Sequence, residues 1–365
     1  MIHRRRGVIK SVTWISPEVW EAQVSIEGQG EEAKALGYRE LVGDGQPGME
    51  VILNTTAVDL GLGTGGYHFV MAVDSSPDPV PDRPGHIMKL RYTPCQLPVL
   101  SVEEEDSPHH HEFTTWRTLE DMPVVVGTLH SMLAPVVTVI KGGAPKTRIA
   151  YIMTDGAALP LAFSRTVREL QERGDLAATI TYGHAWGGDY EAINVFSALI
   201  AAKYVAKADV AVVLMGPGVV GTGTLLGTTA LEQAAIIDAV SLLEGRPIAI
   251  PRMSWADPRE RHRGMSHHTL TALGRLTHHR CELALPQLPE PQLTQLKAQV
   301  AEADLDRLHR LHWVDVTEPM VRLRQSELTF STMGRGLDED PVFFAGAAAA
   351  AVVAVEVLSE ASVPV

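Results

Sequence analysis

Hydrophobic and polar positions follow two regimes along the chain. In the first 95 residues, short runs rich in Val, Ile, Tyr and Trp (Gly7 to Ile15, Val19 to Ile26, Met49 to Asn54, Tyr67 to Val73) alternate with Gly-containing turns at 27–30, 43–48 and 61–66. That pattern predicts a small β-barrel or β-sandwich. The turn cluster Gly61-x-Gly63-x-Gly65-Gly66 leads straight into a strand, so it reads as a tight hairpin. A proline-punctuated stretch, Ser75 to Pro84, and one more expected strand, His86 to Tyr92, close this module. Residues 96–145 lack clean periodicity, carry the acidic run Glu103–Asp106 and the triple histidine His109–His111, and read as a connector.

From residue 146 to 365 the pattern alternates between strands and helices. Expected strands are Thr147–Met153, Ala177–Tyr182, Asp209–Met215, Pro247–Arg252, Cys281–Leu285 and Leu328–Thr332. Expected helices are Leu159–Arg173, Tyr190–Ala206, Thr229–Leu243, Ser266–Leu276, Glu290–His309 and Asp340–Leu358. Strand–helix alternation predicts a doubly wound, mostly parallel, Rossmann-like α/β sheet with helices on both faces. The three regions are therefore a β module (1–95), a connector (96–145) and an α/β ligand-binding domain (146–365).

Ligands of open parallel sheets bind beyond the carboxyl ends of the strands, which makes the residues after each expected strand the candidates. Asp155 follows the first, and Gly183-His184 the second. Gly216-Pro217-Gly218-Val219-Val220-Gly221-Thr222-Gly223-Thr224 follows the third. Arg252 closes the fourth, ahead of Asp257, Arg259, Arg261, His262, Arg263 and Ser266-His267-His268, and Gly334-Arg335-Gly336 follows the last. Gly216, Gly218 and Gly221 match the spacing of a dinucleotide fingerprint. The loop then continues through Thr222, Gly223 and Thr224 to a capping-box start at Thr229 and Glu232. No acidic residue ends the next strand, where Arg252 sits instead, so NADP is the dinucleotide left open. A backbone loop with two threonine hydroxyls that holds another anion is the alternative.

Charge sharpens this picture. The chain has 365 residues, 44 acidic against 31 basic, and a net charge of -13. Such a balance disfavours nucleic acid or an anionic membrane as partner. The window 246–280 nevertheless holds seven arginines and two acids, a local +5 that leaves -18 for the rest. Guanidinium groups suit carboxylate or phosphate, although a solvated or homo-oligomer-facing helix explains the same residues. His267 is a candidate general acid or base. His267 and His268 are adjacent, so regular helix geometry would let only one of them join a given site. Asp155 and His184 are the other proton-moving candidates; whether a metal binds is left open. Two cysteines and the lack of a secretory pattern fit a reducing compartment, and the most apolar stretch, Ala345 to Val355, is short for a membrane span. A cytoplasmic protein is the expectation.

The segments TDGAALP (154–160), MGPGVVGTGT (215–224), RMSWADPRERHRGMSHHTLTALG (252–274) and STMGRGLDEDPVFF (331–344) resemble an uncharacterised bacterial domain-of-unknown-function family of about this length, over nearly the whole chain. The resemblance implies an intracellular bacterial protein and transfers no activity, cofactor or catalytic residue. The functional expectation therefore rests on the loops. It is an enzyme of transferase or hydrolase type acting on a small anionic or phosphorylated metabolite, with Arg252, Arg263 and Arg335 binding charge. A non-catalytic small-ligand sensor and an NADP-dependent oxidoreductase are the alternatives.

Overall fold

The computed structural model describes residues 2–62, 65–74 and 85–361, and the chain divides into two compact units, Met1–Pro84 with Leu90–Pro98, and Gly85–Lys89 with Val99–Val365. The first is a closed five-stranded barrel: β1 (Arg4–Ser16), β2 (Val19–Ile26), β3 (Glu32–Tyr38), β4 (Glu50–Asn54) and β5 (His68–Val73), paired in the order β1-β2-β3-β5-β4. Two single helical turns, α1 (Arg39–Val42) and α2 (Thr56–Asp59), join strands. Inward residues alternate, and Ile9, Val24, Val51 and Leu53 surround Trp20. A Cβ at Gly37 would sit 2.2 Å from the Trp20 ring and one at Gly45 2.8 Å from it, so both positions give the indole its room. β3 escapes the sequence pattern because its inward residues, Ala33 and Ala35, are small and sit among Glu, Lys and Gly. The β4–β5 link contains α2 rather than a tight turn alone; Gly63 within it lies outside the described residues, as does the Ser75–Pro84 stretch. The strand expected at His86–Tyr92 shortens to β6 (Ile87–Lys89), and β7 (Leu97–Val99) follows.

The second unit is an eight-stranded, all-parallel sheet flanked by helices. In chain order its elements are β8 (Pro123–Val126), α3 (Leu133–Gly143), β9 (Ile149–Thr154), α4 (Arg165–Glu172), β10 (Ala178–Tyr182), β11 (Tyr190–Ala192), α5 (Val195–Ile200), β12 (Val210–Met215), α6 (Glu232–Leu242) and β13 (Arg246–Ala249). A two-residue ribbon of β14 (Met253–Ser254) and β15 (Gly264–Met265) precedes α7 (His267–Thr271), β16 (Glu282–Pro286), α8 (Gln292–Glu302), α9 (Leu305–Leu308), β17 (Arg310–Val314), α10 (Thr317–Gln325) and α11 (Pro341–Ala361). The sheet order is β11-β10-β9-β12-β8-β13-β16-β17.

Alternation assigns each strand residue to one of two cores. Ile149, Tyr151 and Met153 of β9 and Val212 and Leu214 of β12 face one layer, while Ala150, Ile152, Ala211 and Val213 face the other. Period-two side-chain geometry produces this split, and burial on both faces gives the continuous apolar runs of the sequence.

Several expectations change here. Residues 96–145 contain a central strand, β8, and the buried helix α3. A four-residue run, Pro-Val-Val-Val, is too short for periodicity to identify. Leu328–Thr332 is not a strand, and Arg310–Val314 is one. Tyr190–Ala206 splits into β11 and α5, which starts at an Asn194 cap that accepts from Phe196 N and Ser197 N. Helix α11 is long and apolar enough, by length and composition, to cross a membrane. Of its apolar window within Pro341–Glu360, however, 72% is buried inside the protein, among them Ala347 to Ala351. A helix that is apolar all round is accounted for by such burial.

Candidate functional site

The chain leaves β8 toward the β9 edge and leaves β13 toward the β16 edge, so the connections diverge between β8 and β13, where they sit side by side. Such a reversal opens a crevice at the carboxyl ends of the strands. A cavity of about 80 Å³ lies there, lined by Thr128 after β8, Gly221, Gly223 and Thr228 after β12, and Arg252, Arg259, Arg261, His262 and His268 after β13. That volume admits a few waters or one phosphate-sized group.

The wall after β13 is built by the β14–β15 ribbon, which folds the intervening residues back on themselves. Asp257 is completely buried at its centre. Its carboxylate accepts from Arg259 Nε at 2.9 Å and Arg259 Nη2 at 2.8 Å, and from Arg252 Nη2 at 3.2 Å. Ser254 Oγ accepts from Asp257 N at 3.0 Å and donates to Asp340 Oδ2 at 2.7 Å. Arg335 Nε donates to the same Asp340 oxygen at 3.1 Å. Hydrogen bonds from Arg259, followed by the charges of Arg259 and Arg252, hold the Asp257 carboxyl well below the ordinary range. Arg252, Arg259 and Arg335 are thus spread over two buried carboxylates. Arg261 is exposed, has no ion pair among the described residues, and its guanidinium lies where a Cβ on Gly223 would meet it at 3.7 Å.

Ser266 caps α7, its hydroxyl accepting from His268 N, as the sequence predicts. His262 Nδ1 lies 2.8 Å from the same hydroxyl. The rings of His262, His267 and His268 converge, with centroids 5.0 Å (262–267), 5.2 Å (262–268) and 4.0 Å (267–268) apart. One nitrogen from each lies within 4.8 Å of the others. The expectation that only one of the adjacent pair could join a site is corrected. Both residues occupy the first positions of the helix, where no preceding turn restricts χ1, and their rings swing together. Burial first, and the neighbouring positive charges after it, push His262 down to about 3 and His268 to about 4, and lower His267 as well. The shared direction of these shifts favours the neutral imidazole at all three.

The glycine loop is placed differently from a dinucleotide loop. Helix α6 opens only after a 3₁₀ turn at Thr229–Leu231 capped by Thr228, so its N-terminus lies outside the Gly216–Gly221 motif. Thr222 and Thr224 bond to each other at 2.9 Å, Thr222 Oγ1 donates to Gly227 O, and Gly227 N donates to Thr224 Oγ1. Both hydroxyls that the sequence offered to an anion close the loop instead. A Cβ at Gly216 would lie 2.6 Å from Ala158 O, and Gly218 has φ +101°, so these two serve loop geometry. Gly221 packs beside His268, where a Cβ would come within 3.3 Å of the ring.

The remaining candidates fall elsewhere. Arg263 is exposed and does not line the cavity. Asp155 and His184 meet each other rather than the arginines, with His184 N donating to Asp155 Oδ2 at 3.1 Å. With them stands Glu232, whose spacing from Thr229 in the sequence fits a capping box. Its carboxylate accepts from Thr154 Oγ1 at 2.6 Å, and burial pushes it up to about 7. No sequence signal marks Glu232, because its environment comes from β9. Thr128 and His130 were also missed, having been placed in the connector. His130 bonds Ser164 Oγ at 2.6 Å and Tyr151 Oη at 3.1 Å. Ser164 meanwhile caps α4, so this chain of bonds anchors the loop after β8.

The molecule is thus a barrel joined in sequence to a parallel α/β unit with an arginine- and histidine-lined crevice at its strand ends. The chain belongs to the family described as "Protein of unknown function (DUF3866)", whose model matches residues 34–351. No curated protein matches it.

Proposed function

We propose that the chain binds a small anionic, phosphate- or carboxylate-bearing metabolite in the crevice and acts on it by transfer or hydrolysis in the bacterial cytoplasm. One observation carries this reading: an uncompensated guanidinium, Arg261, and a buried hydroxyl with no hydrogen-bond partner among the described residues, Thr128 Oγ1, belong to one small cavity. An orphaned buried hydroxyl costs roughly 1–3 kcal/mol, which a ligand oxygen recovers. Arginine supplies the planar fork for an oxyanion. Arg252, Arg259 and Arg335, held by Asp257 and Asp340, keep the local potential positive within an acidic chain, which favours small anions over long polyanions.

Thermal shift in chelator-containing buffer tests the reading, with inorganic phosphate, pyrophosphate and malonate as probes. At least one anion raises Tm, the rise is lost in Arg261→Ala and reduced in Thr128→Val, and it persists in Arg263→Ala. No shift with any probe, or a shift indifferent to Arg261→Ala, overturns it. Turnover of a bound metabolite then separates an enzyme from a sensor.

A further inference from the structure

We propose that His262, His267 and His268 form a binding site for one divalent transition-metal ion of the zinc type, with an open coordination position facing the cavity. The three residues come from both ends of one short stretch that the β14–β15 ribbon and the Ser266 cap fold into a cluster. Their nitrogens lie within 4.8 Å of one another. Tetrahedral ligation at about 2.0–2.1 Å would draw these nitrogens closer together than they stand here. A second observation points to the same place. His267 Nε2 and His268 Nε2 are buried and have no hydrogen-bond partner among the described residues, and His268, only 7% exposed, lines the cavity. A buried imidazole nitrogen is normally paired; two side by side, each without a partner, match a ligand set.

His262 has an outer contact of the matching kind. Its Nδ1 is 2.8 Å from Ser266 Oγ and 3.4 Å from Arg252 Nη1; donation from Nδ1 to the nearer hydroxyl leaves Nε2 free to ligate, as in metal-bound histidines whose other nitrogen is hydrogen-bonded. An all-imidazole set selects zinc, cobalt, nickel or copper over magnesium or calcium, which want oxygen. Three protein ligands leave a fourth position for water or substrate. The nearby guanidinium groups raise the cost of a lone dication, and Asp257 offsets Arg252 and Arg259. The remaining positive charge favours a hydroxide or another anion at the open position, which is where the cavity lies. The metal site does not depend on the anion reading, since its ligands are protein atoms alone.

The test uses the full chain, stripped with chelator and dialysed into phosphate-free buffer, then titrated with Zn(II) and Co(II). One ion binds per chain, and the Co(II) form shows the ligand-field absorption of a low-coordinate nitrogen site. His268→Asn and His262→Asn each weaken binding by 100-fold or more, and Ser266→Ala by roughly 10-fold. Circular dichroism confirms that the variants are folded. Replacing His109, His110 and His111 together leaves binding unchanged. Sub-stoichiometric binding of both ions, or stoichiometric binding that survives in folded His268→Asn or vanishes with the 109–111 triple variant, overturns the proposal. If the histidine variants do not fold, the wild-type Co(II) spectrum decides: absent ligand-field bands overturn it. The phosphate shift, measured with chelator present, fails or succeeds separately.

Discussion

At the residue scale, the clearest consequence of tertiary packing is Glu232. Burial raises its carboxyl to about 7, above the value of 4.5 that an exposed glutamate takes in the unfolded chain. The folded state therefore holds the proton more tightly than the unfolded state, so this group's contribution is fully present below pH 4.5 and is lost as pH rises through 7. Glu232→Gln keeps an acceptor for Thr154 Oγ1 and removes the charge. The variant should nearly match wild type near pH 4.5 and exceed it by about 3 kcal/mol at pH 8, read from urea midpoints across that range. Equal pH profiles would place Glu232 in solvent. A carboxyl poised near neutrality also suits proton transfer, so loss of turnover in Glu232→Gln, once a substrate is known, assigns it that role beside Asp155. Glutamate at 232 reads from sequence as a helix cap; only its neighbour Thr154, 78 positions earlier, makes it a perturbed acid.

At the element scale, α11 shows how composition and packing divide the work. Its start at Asp340-Pro341 and its apolar length are legible, because proline fits the first turn of a helix. Its alanines become meaningful only against α3 and the sheet, where Ala347 through Ala351 are all fully buried. Small residues allow that close approach, so overpacking is the sensitive change. Ala349→Leu should cost about 1–3 kcal/mol, seen as a lower Tm and urea midpoint with unchanged far-ultraviolet dichroism. A neutral result would mean the α11–sheet layer has slack. β8 makes the opposite point: it is a central strand of four residues, and its neighbours β12 and β13 are drawn from more than 80 positions away. No local window contains the pairing that defines it.

At the scale of the whole molecule, the proposed metal and anion sites share one cavity, so binding at one should change affinity at the other. A metal ion at the histidines and an anion on Arg261 neutralise each other's surroundings, and coupling is reciprocal. Zinc affinity should rise about 10-fold in the presence of saturating phosphate, and phosphate affinity by the same factor with zinc, both measured by calorimetry. Independent affinities would show that the two ligands do not meet. Within a chain of overall charge -13, the positive crevice comes from the arginine-rich 246–280 window rather than from average composition.

What the sequence by itself determined was the type of each half and the neighbourhood of the site. Period-two runs with glycine turns imply the barrel, strand–helix alternation implies the parallel sheet, and polar residues after strands imply where a crevice opens. Glycines 221 and 223, Arg252 and the histidines of 262–268 were legible in this way, since each follows a strand in the chain. Tertiary structure decided which strand ends lie side by side, and so put Thr128 with Arg261, Arg335 with Asp257, and Asp155 with Glu232 and His184. It also turned Thr222 and Thr224 into the loop and gathered His267 with His268. The physical reason is common to all of them. Local pattern reports which face of an element is apolar, whereas side-chain partners and proton affinities depend on contacts between residues far apart in sequence, and those exist only once the sheet has assembled.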